Sequence, residues 1–233
     1  MKFILTIAFS FLIVFSANSQ TREDYIISSL IKEKLKDYEG AIKDLDEVIK
    51  LDPDKVAYNN RGVYKNRLNL YKEAIKDFDK AITLNEEVSF YTNRAYAKSQ
   101  VEDFSGAMKD YYRAIELDPY EPSTYILRAY LKEKLGDFRG AIKDFDAAIK
   151  MDPENGGSLY NRGLMKSRLD DYAGAIKDYN LAIEFAPTEG RYFLMRGLAK
   201  QQLGAIEEGC ADFSKAGELG FEGAYKTIDQ LCN

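Results

Sequence analysis

The chain has 233 residues, with 38 Asp and Glu against 33 Lys and Arg for a formal net charge of −5, two Cys, no His and no Trp. Without an imidazole, every mechanism that uses histidine as base or metal ligand is excluded, among them Ser-His-Asp triads, Cys-His dyads and His-bearing zinc sites. A hydrophobic share of 45% beside 30% charged residues describes a folded chain, and the acidic excess argues against a nucleic-acid binder, which carries a basic stripe.

In chain order, residues 1–19 come first. They hold one basic residue (Lys2), an apolar run from Phe3 to Phe15, and the small residues Ala17 and Ser19. The run is shorter than the roughly 20 residues a membrane-spanning helix needs. It reads as a secretory signal peptide cleaved after Ser19. This predicts an exported protein, periplasmic or secreted, in an oxidising compartment, with no transmembrane segment after cleavage.

From residue 20 onward the chain repeats itself. Ala41, Ala74, Ala107, Ala141 and Ala175 head near-copies of one segment, spaced 33, 33, 34 and 34 residues apart, and Gly209 in a degenerate sixth copy follows 34 residues later. The repeats run over about 22–54, 55–87, 88–121, 122–155, 156–189 and 190–223, leaving 224–233 as a candidate capping helix. Within each, a first helix opens at stretches such as Tyr58 to Gly62 (YNNRG) and Tyr91 to Ala95 (YTNRA). A short turn such as Gly136-Asp137 follows. A second helix then places residues like Ala74, Phe78, Ala81 and Ile82 at i, i+4, i+7 and i+8, one apolar face at helical period. Asp52-Pro53, Asp118-Pro119, Asp152-Pro153 and Ala186-Pro187 close four repeats, because proline cannot continue a helix.

The pattern Tyr125, Ala129, Phe138, Ala141, Phe145, Ala148, Pro153 within a helix-turn-helix unit of 34 residues resembles the tetratricopeptide repeat family. The departures are the absence of Trp at the first aromatic position, Glu86 in place of a closing proline in the second repeat, and Gly209 and Gly217 in the sixth. Those glycines weaken helix propensity and suit a terminal, capping repeat. The resemblance implies an all-α, right-handed superhelical solenoid of six repeats whose first helices line a concave groove, and a function of holding proteins or peptides. No cofactor and no metal site are expected.

Helical phase places three rows on that groove: Ile26, Asn59, Thr92, Ile126, Tyr160 and Leu194; Leu30, Val63, Tyr96, Tyr130, Leu164 and Leu198; and Lys34, Arg67, Gln100, Lys134, Arg168 and Gln202. From these, the candidate partner-binding residues are Asn59, Arg67, Thr92, Tyr96, Gln100, Tyr130, Lys134, Tyr160 and Arg168. Family members that clamp a chaperone's C-terminal carboxylates use a Lys in the first row and an Asn in the second, and this chain has neither. The rows carry cations and no acid, so they suit an extended acidic or polar segment. The alternatives are helix-dipole complementation by the same cations, a self-assembling structural module, and, remotely, an enzyme or small-molecule binder. Carboxylate pairs such as Asp44/Asp46 sit on repeated helix faces beside lysines and read as solvated charge, so no catalytic residue is assigned.

Two further patterns are structural. Arg61, Arg94, Arg128, Arg162 and Arg196 recur at one place on the first helices, and Asp44, Asp77, Asp110, Asp144, Asp178 and Asp212 at one place on the second helices. Ser28 stands where the first repeat would have its Arg, which suggests ion pairs reaching from each Arg to the Asp of the preceding repeat, although Asp212 would then need another partner; the alternatives are pairing within a repeat and separate solvated charges. Cys210 and Cys232 each lie 11 residues from Phe221, so a helix folding back after Phe221 brings them together as a disulfide.

Overall fold

The period-3.6 patterns become helices whose ends are set by local chemistry. In the computed structural model, which describes residues 21–232, the helices are α1 (Arg22–Lys34), α2 (Tyr38–Leu51), α3 (Lys55–Arg67), α4 (Tyr71–Leu84), α5 (Val88–Gln100), α6 (Phe104–Leu117), α7 (Pro122–Lys134), α8 (Phe138–Met151), α9 (Gly156–Arg168), α10 (Tyr172–Phe185), α11 (Gly190–Gln202), α12 (Ile206–Glu218) and α13 (Gly223–Leu231). The expected signal peptide at residues 1–19 lies outside the described residues.

Each pair turns through a residue in the left-handed region: Lys36, Asn69, Glu102, Gly136, Asp170 and Gly204 all have φ between 60° and 82°. In the fourth repeat the amide of Asp137 donates to the Lys132 carbonyl at 2.9 Å, satisfying an end carbonyl of α7. The next residue then starts the second helix. The carboxylates of Asp37, Asp103, Asp137 and Asp171 accept from the amides of Gly40, Gly106, Gly140 and Gly174 at 2.8–2.9 Å, relieving one orphan donor each. At the far end, Asp52, Asp118 and Asp152 leave helical angles before their prolines.

The second helices carry the core. Ala41, Ala74, Ala107, Ala141 and Ala175 are fully buried, and the residue four further on is Leu45, Phe78, Tyr111, Phe145 or Tyr179, also buried. Small residues let the paired helices approach and the large ones fill the space between them, each worth about 1.5–3 kcal/mol of burial. Among the described residues, no helix is long and apolar enough to cross a membrane.

The chain divides into two compact units, Met1–Glu86 and Glu87–Asn233. In the described part of the first, α1 to α3 enclose Ala41, Leu45, Val48, Ala57 and Tyr64, and the Tyr64 hydroxyl donates to the Glu33 carboxylate at 3.0 Å. In the second, α5 to α13 build successive clusters around Tyr111, Phe145, Tyr179 and Phe193. The final helix packs Ala224 against Phe193 and Ala216. Cys210 and Cys232 form a disulfide with a Cα–Cα distance of 5.9 Å, tying α13 back onto α12.

The sixth repeat's Gly209 has a reason beyond terminal softness. A Cβ on Gly209 would lie 2.9 Å from the Gly197 carbonyl oxygen, and a Cβ on Gly197 would lie 2.8 Å from the Gly209 carbonyl oxygen. The α11 and α12 backbones approach each other directly, where the other repeats keep an Ala on the second helix.

Candidate binding groove

The repeated Arg and Asp rows meet within each repeat, opposite to the direction expected from sequence. Arg61 pairs with Asp77, Arg94 with Asp110, Arg128 with Asp144, Arg162 with Asp178 and Arg196 with Asp212, each through Nε and Nη2 at 2.6–2.9 Å. Arg94 is 17 residues after Asp77 and 16 before Asp110, so sequence distance does not choose between them. The antiparallel pairing of helices inside a repeat does. A lysine four residues after each Arg completes the node: Lys65, Lys98, Lys132, Lys166 and Lys200 lie 2.7–2.8 Å from the same carboxylates. Asp44, which has no Arg, is held by Lys32 at 2.7 Å.

A cross-repeat contact exists, but to a different residue. The remaining nitrogen of Arg61 reaches Asp46, that of Arg162 reaches Asp146 and that of Arg196 reaches the Asn180 side chain, at 2.6–2.8 Å. At Arg128 the guanidinium lies 4.8 Å from the ring centroid of Tyr112. The Asp178 hydrogen bond raises the pKa of Arg162 against opposing desolvation. These nodes fix helix register and leave the opposite face of the first helices outside the charge network.

On that face, the first unit presents Asn59 and Arg67 on α3. Asn59 donates to the Asn60 side chain at 3.3 Å, and Arg67 is exposed. In the second unit, the hydroxyl of Thr92 donates to the Ser89 carbonyl at 3.1 Å, Tyr96 is exposed on α5, and Gln100 donates to the Ser99 hydroxyl at 3.4 Å. Lys134 is exposed and partly engaged: its ammonium donates to the Ser99 carbonyl at 3.1 Å and lies 5.1 Å from the centroid of the Phe104 ring, while its charge is not paired with a carboxylate among the described residues.

The helices α7, α9 and α11 bring together a polar aromatic wall. Tyr160 stacks on Tyr192 with centroids 4.8 Å apart, and the Arg191 guanidinium lies 5.6 and 5.4 Å from the two ring centroids while pairing with Glu189 at 3.0 Å. The Asn161 amide donates to the Tyr130 hydroxyl at 2.9 Å. Burial raises the pKa of Tyr130 and Tyr160, and Glu133 adds to both shifts. Glu133 is therefore an acid beside rows that the sequence reading gave as free of acids. Sequence reasoning also missed Asn161 and Arg191. Asn161 was visible as the residue after Tyr160, one step from a chosen row, whereas Arg191 lies a turn earlier on α11, outside the three chosen rows.

Beyond this wall, toward the C-terminal ends of α9 and α11, lies a pocket of about 390 Å³ lined by Leu164, Ser167, Arg168, Tyr172, Met195, Leu198, Ala199 and Gln202. No carboxylate lines it. The side chain of Arg168 makes no ion pair or hydrogen bond among the described residues.

Antiparallel helix pairs stacked in sequence, with a structural charge node on one face and an open first-helix face on the other, define an all-α repeat solenoid of the interaction-module class. Models of the tetratricopeptide repeat match residues 25–55, 56–87 and 88–121, and a second such model matches residues 126–189. The chain belongs to the tetratricopeptide repeat family. No curated protein matches it. Similar solved structures include the C-terminal part of a tetratricopeptide repeat-containing protein from Cytophaga hutchinsonii, with a TM-score of 0.74 and 18% identity over 86% of this chain and 81% of that one. A tetratricopeptide repeat protein from Parabacteroides merdae aligns with a TM-score of 0.63 and 17% identity over 91% of this chain and 99% of that one. YrrB, described as a tetratricopeptide protein with an unusual peptide-binding site, aligns with a TM-score of 0.60 and 21% identity over 82% of this chain and 97% of that one.

Proposed function

We propose that this protein is a non-enzymatic scaffold that holds a peptide or protein segment along the concave face of its first helices, in an exported compartment. The observation that carries the reading is the contrast between the two faces. One is consumed by Arg-Asp-Lys nodes, and the other presents Tyr130, Asn161, Tyr160 and Arg191, with Tyr160 backed by the buried Tyr192, beside an unfilled pocket. Aromatic and Arg side chains with adaptable amides are what protein-binding surfaces use for contact area and backbone recognition. The peptide-binding site in the description of YrrB supports the same reading. Export is supported by the apolar run Phe3 to Phe15 and by the Cys210–Cys232 disulfide, a bond that persists in oxidising compartments.

The test compares partner capture by the mature protein with capture by Arg67→Glu/Arg168→Glu and by a control with Lys143→Glu/Lys177→Glu on exposed second-helix positions. Selective loss of the captured protein with the groove pair is expected. Equal loss with both pairs, or retention with the groove pair, removes the groove as the binding surface. A mass that rises with concentration in the absence of partner would favour the self-assembling module instead.

A further inference from the structure

The pocket between α9 and α11 has a chemistry of its own. Its floor is apolar, made by Leu164, Met195, Leu198 and Ala199, and Tyr172 closes one side. Its volume of about 390 Å³ lies toward the small end of the roughly 300–1,000 Å³ typical of ligand sites, room for an apolar side chain together with the stretch of partner backbone that carries it. Ser167 is already engaged, its hydroxyl 3.3 Å from that of Tyr179. The polar groups left at the rim are Arg168 and Gln202, both exposed at the last turns of their helices.

Arg168 differs from the five arginines of the charge nodes. Arg61, Arg94, Arg128, Arg162 and Arg196 are each committed bidentately to a carboxylate. Lys134, its counterpart in the preceding repeat, is folded onto the Ser99 carbonyl and the Phe104 ring. Arg168 alone in the second unit's last groove row combines a full positive charge with a place on a pocket that no carboxylate lines. A guanidinium presents a planar fork that matches a carboxylate, and the Gln202 amide offers both a donor and an acceptor to an extended backbone.

We infer that this pocket reads an acidic-apolar step in an extended internal segment of a partner protein: a Leu, Ile, Met or Phe side chain fills the pocket, and an Asp or Glu one or two residues away pairs with Arg168. The inference rests on the groove reading above and adds a sequence preference to it. Charge complementarity selects the acid. The internal position follows from the geometry, because the Tyr160–Tyr192 stack continues the face beyond the pocket toward the first turns of α9 and α11. A second cation that would hold a free chain terminus in the pocket is absent from its lining.

The experiment titrates isotope-labelled mature protein with N-acetylated, C-amidated decapeptides carrying one Leu-Ser-Asp step in a Ser/Asn frame, up to millimolar concentration. Shifts are expected at the methyl groups of Leu164, Met195 and Leu198 and at Nε of Arg168. Replacing the peptide Asp by Asn weakens binding about fivefold, as for an exposed charge pair, and replacing Leu by Ala weakens it about tenfold. With Arg168→Glu, whose fold is checked by circular dichroism, the preference for Asp over Asn reverses. Equal affinity for the Asp and Asn peptides, or shifts confined to Tyr130, Tyr160 and Tyr192, overturns the inference and leaves the groove reading standing. Tighter binding of a free-acid peptide without an internal Asp overturns the internal assignment. No shift at all overturns the inference, and the partner-capture comparison then decides the groove reading separately.

Discussion

A carboxylate that is almost wholly removed from water must be compensated, and the second to sixth repeats do this twice over, with an Arg and a Lys on one Asp. Asp144 is 3% exposed and receives both nitrogens of one Arg128 edge and the Lys132 ammonium. Breaking a buried pair by removing one partner typically costs about 3–5 kcal/mol because a naked charge is left behind. In Arg128→Leu the charge is not naked, since Lys132 remains, so a loss of about 2 kcal/mol in urea unfolding is expected, with Arg128→Leu/Lys132→Met losing clearly more than the sum of the two single changes. A strictly additive double variant would show that the node does not act as a unit. Two tyrosines give a separate prediction. Burial pushes Tyr111 and Tyr179 up to about 12; Asp110 adds to the first, and at the second the Ser167 hydrogen bond opposes the shift while Tyr160 and Asp178 add to it. Between the unfolded tyrosine value of about 10 and this folded value, the native chain holds more protons than the unfolded one, so stability falls as pH rises through that window. Absorbance at 295 nm should show Tyr111 and Tyr179 ionising late, in a group with Tyr64, which burial and Glu33 also push up, and Tyr179→Phe should flatten the alkaline decline in stability. An unchanged slope would mean that Tyr179 ionises freely in the native state.

Helix-level features divide into those that the repeat pattern makes visible and those that only backbone approach reveals. The helix pairs, their turns and their closing residues were legible because the period, the Gly136-Asp137 turn and the Asp-Pro stops are local chemistry. Gly209 was not, because a helical glycine reads as weakness until its neighbour's carbonyl is seen 2.9 Å from where a Cβ would stand. Gly209→Ala tests the distinction. Propensity alone predicts a gain of about 1 kcal/mol, whereas overpacking typically costs about 1–3 kcal/mol. The clash here is with backbone, which cannot rotate aside, so a net loss of about 1 kcal/mol is expected in denaturant unfolding, and a gain would show that α11 and α12 separate easily. The same limit explains the misjudged ion pairs: rows of Arg and Asp could be read from the repeats, while the choice between two equally distant partners needed helix packing. The Lys row was legible at i, i+4 from each Arg, and its role appears only beside the shared carboxylate. Of the candidate groove, the exposed positions could be read from helical phase, but the capture of Lys134 by a backbone carbonyl on another helix left no mark in its own sequence.

At the scale of the whole molecule, a solenoid is stabilised by nearest neighbours, so its end helices hold fewest contacts. The first helix buries only Ser29 and leaves Ile27, Ile31 and Leu35 exposed; nothing covalent ties it down among the described residues. The last helix buries only Ala224, yet it is fastened by Cys210–Cys232, by the Gln201 amide donating to the Leu231 carbonyl at 3.3 Å, and by the Tyr225 hydroxyl donating to the Gly217 carbonyl at 3.3 Å. Closing a loop with a sequence separation of 22 contributes roughly 3 kcal/mol in the chain-entropy model, more than two exposed hydrogen bonds supply. Hydrogen exchange should therefore be fastest in α1 and slower in α13 while the disulfide is intact. Reduction, or Cys210→Ser/Cys232→Ser, should bring α13 to exchange as fast as α1, with α8, α9 and α10 unchanged because their neighbours on both sides remain. If α13 keeps its protection after reduction, its packing through Ala224 holds it alone, and the disulfide is not what secures the end of the solenoid.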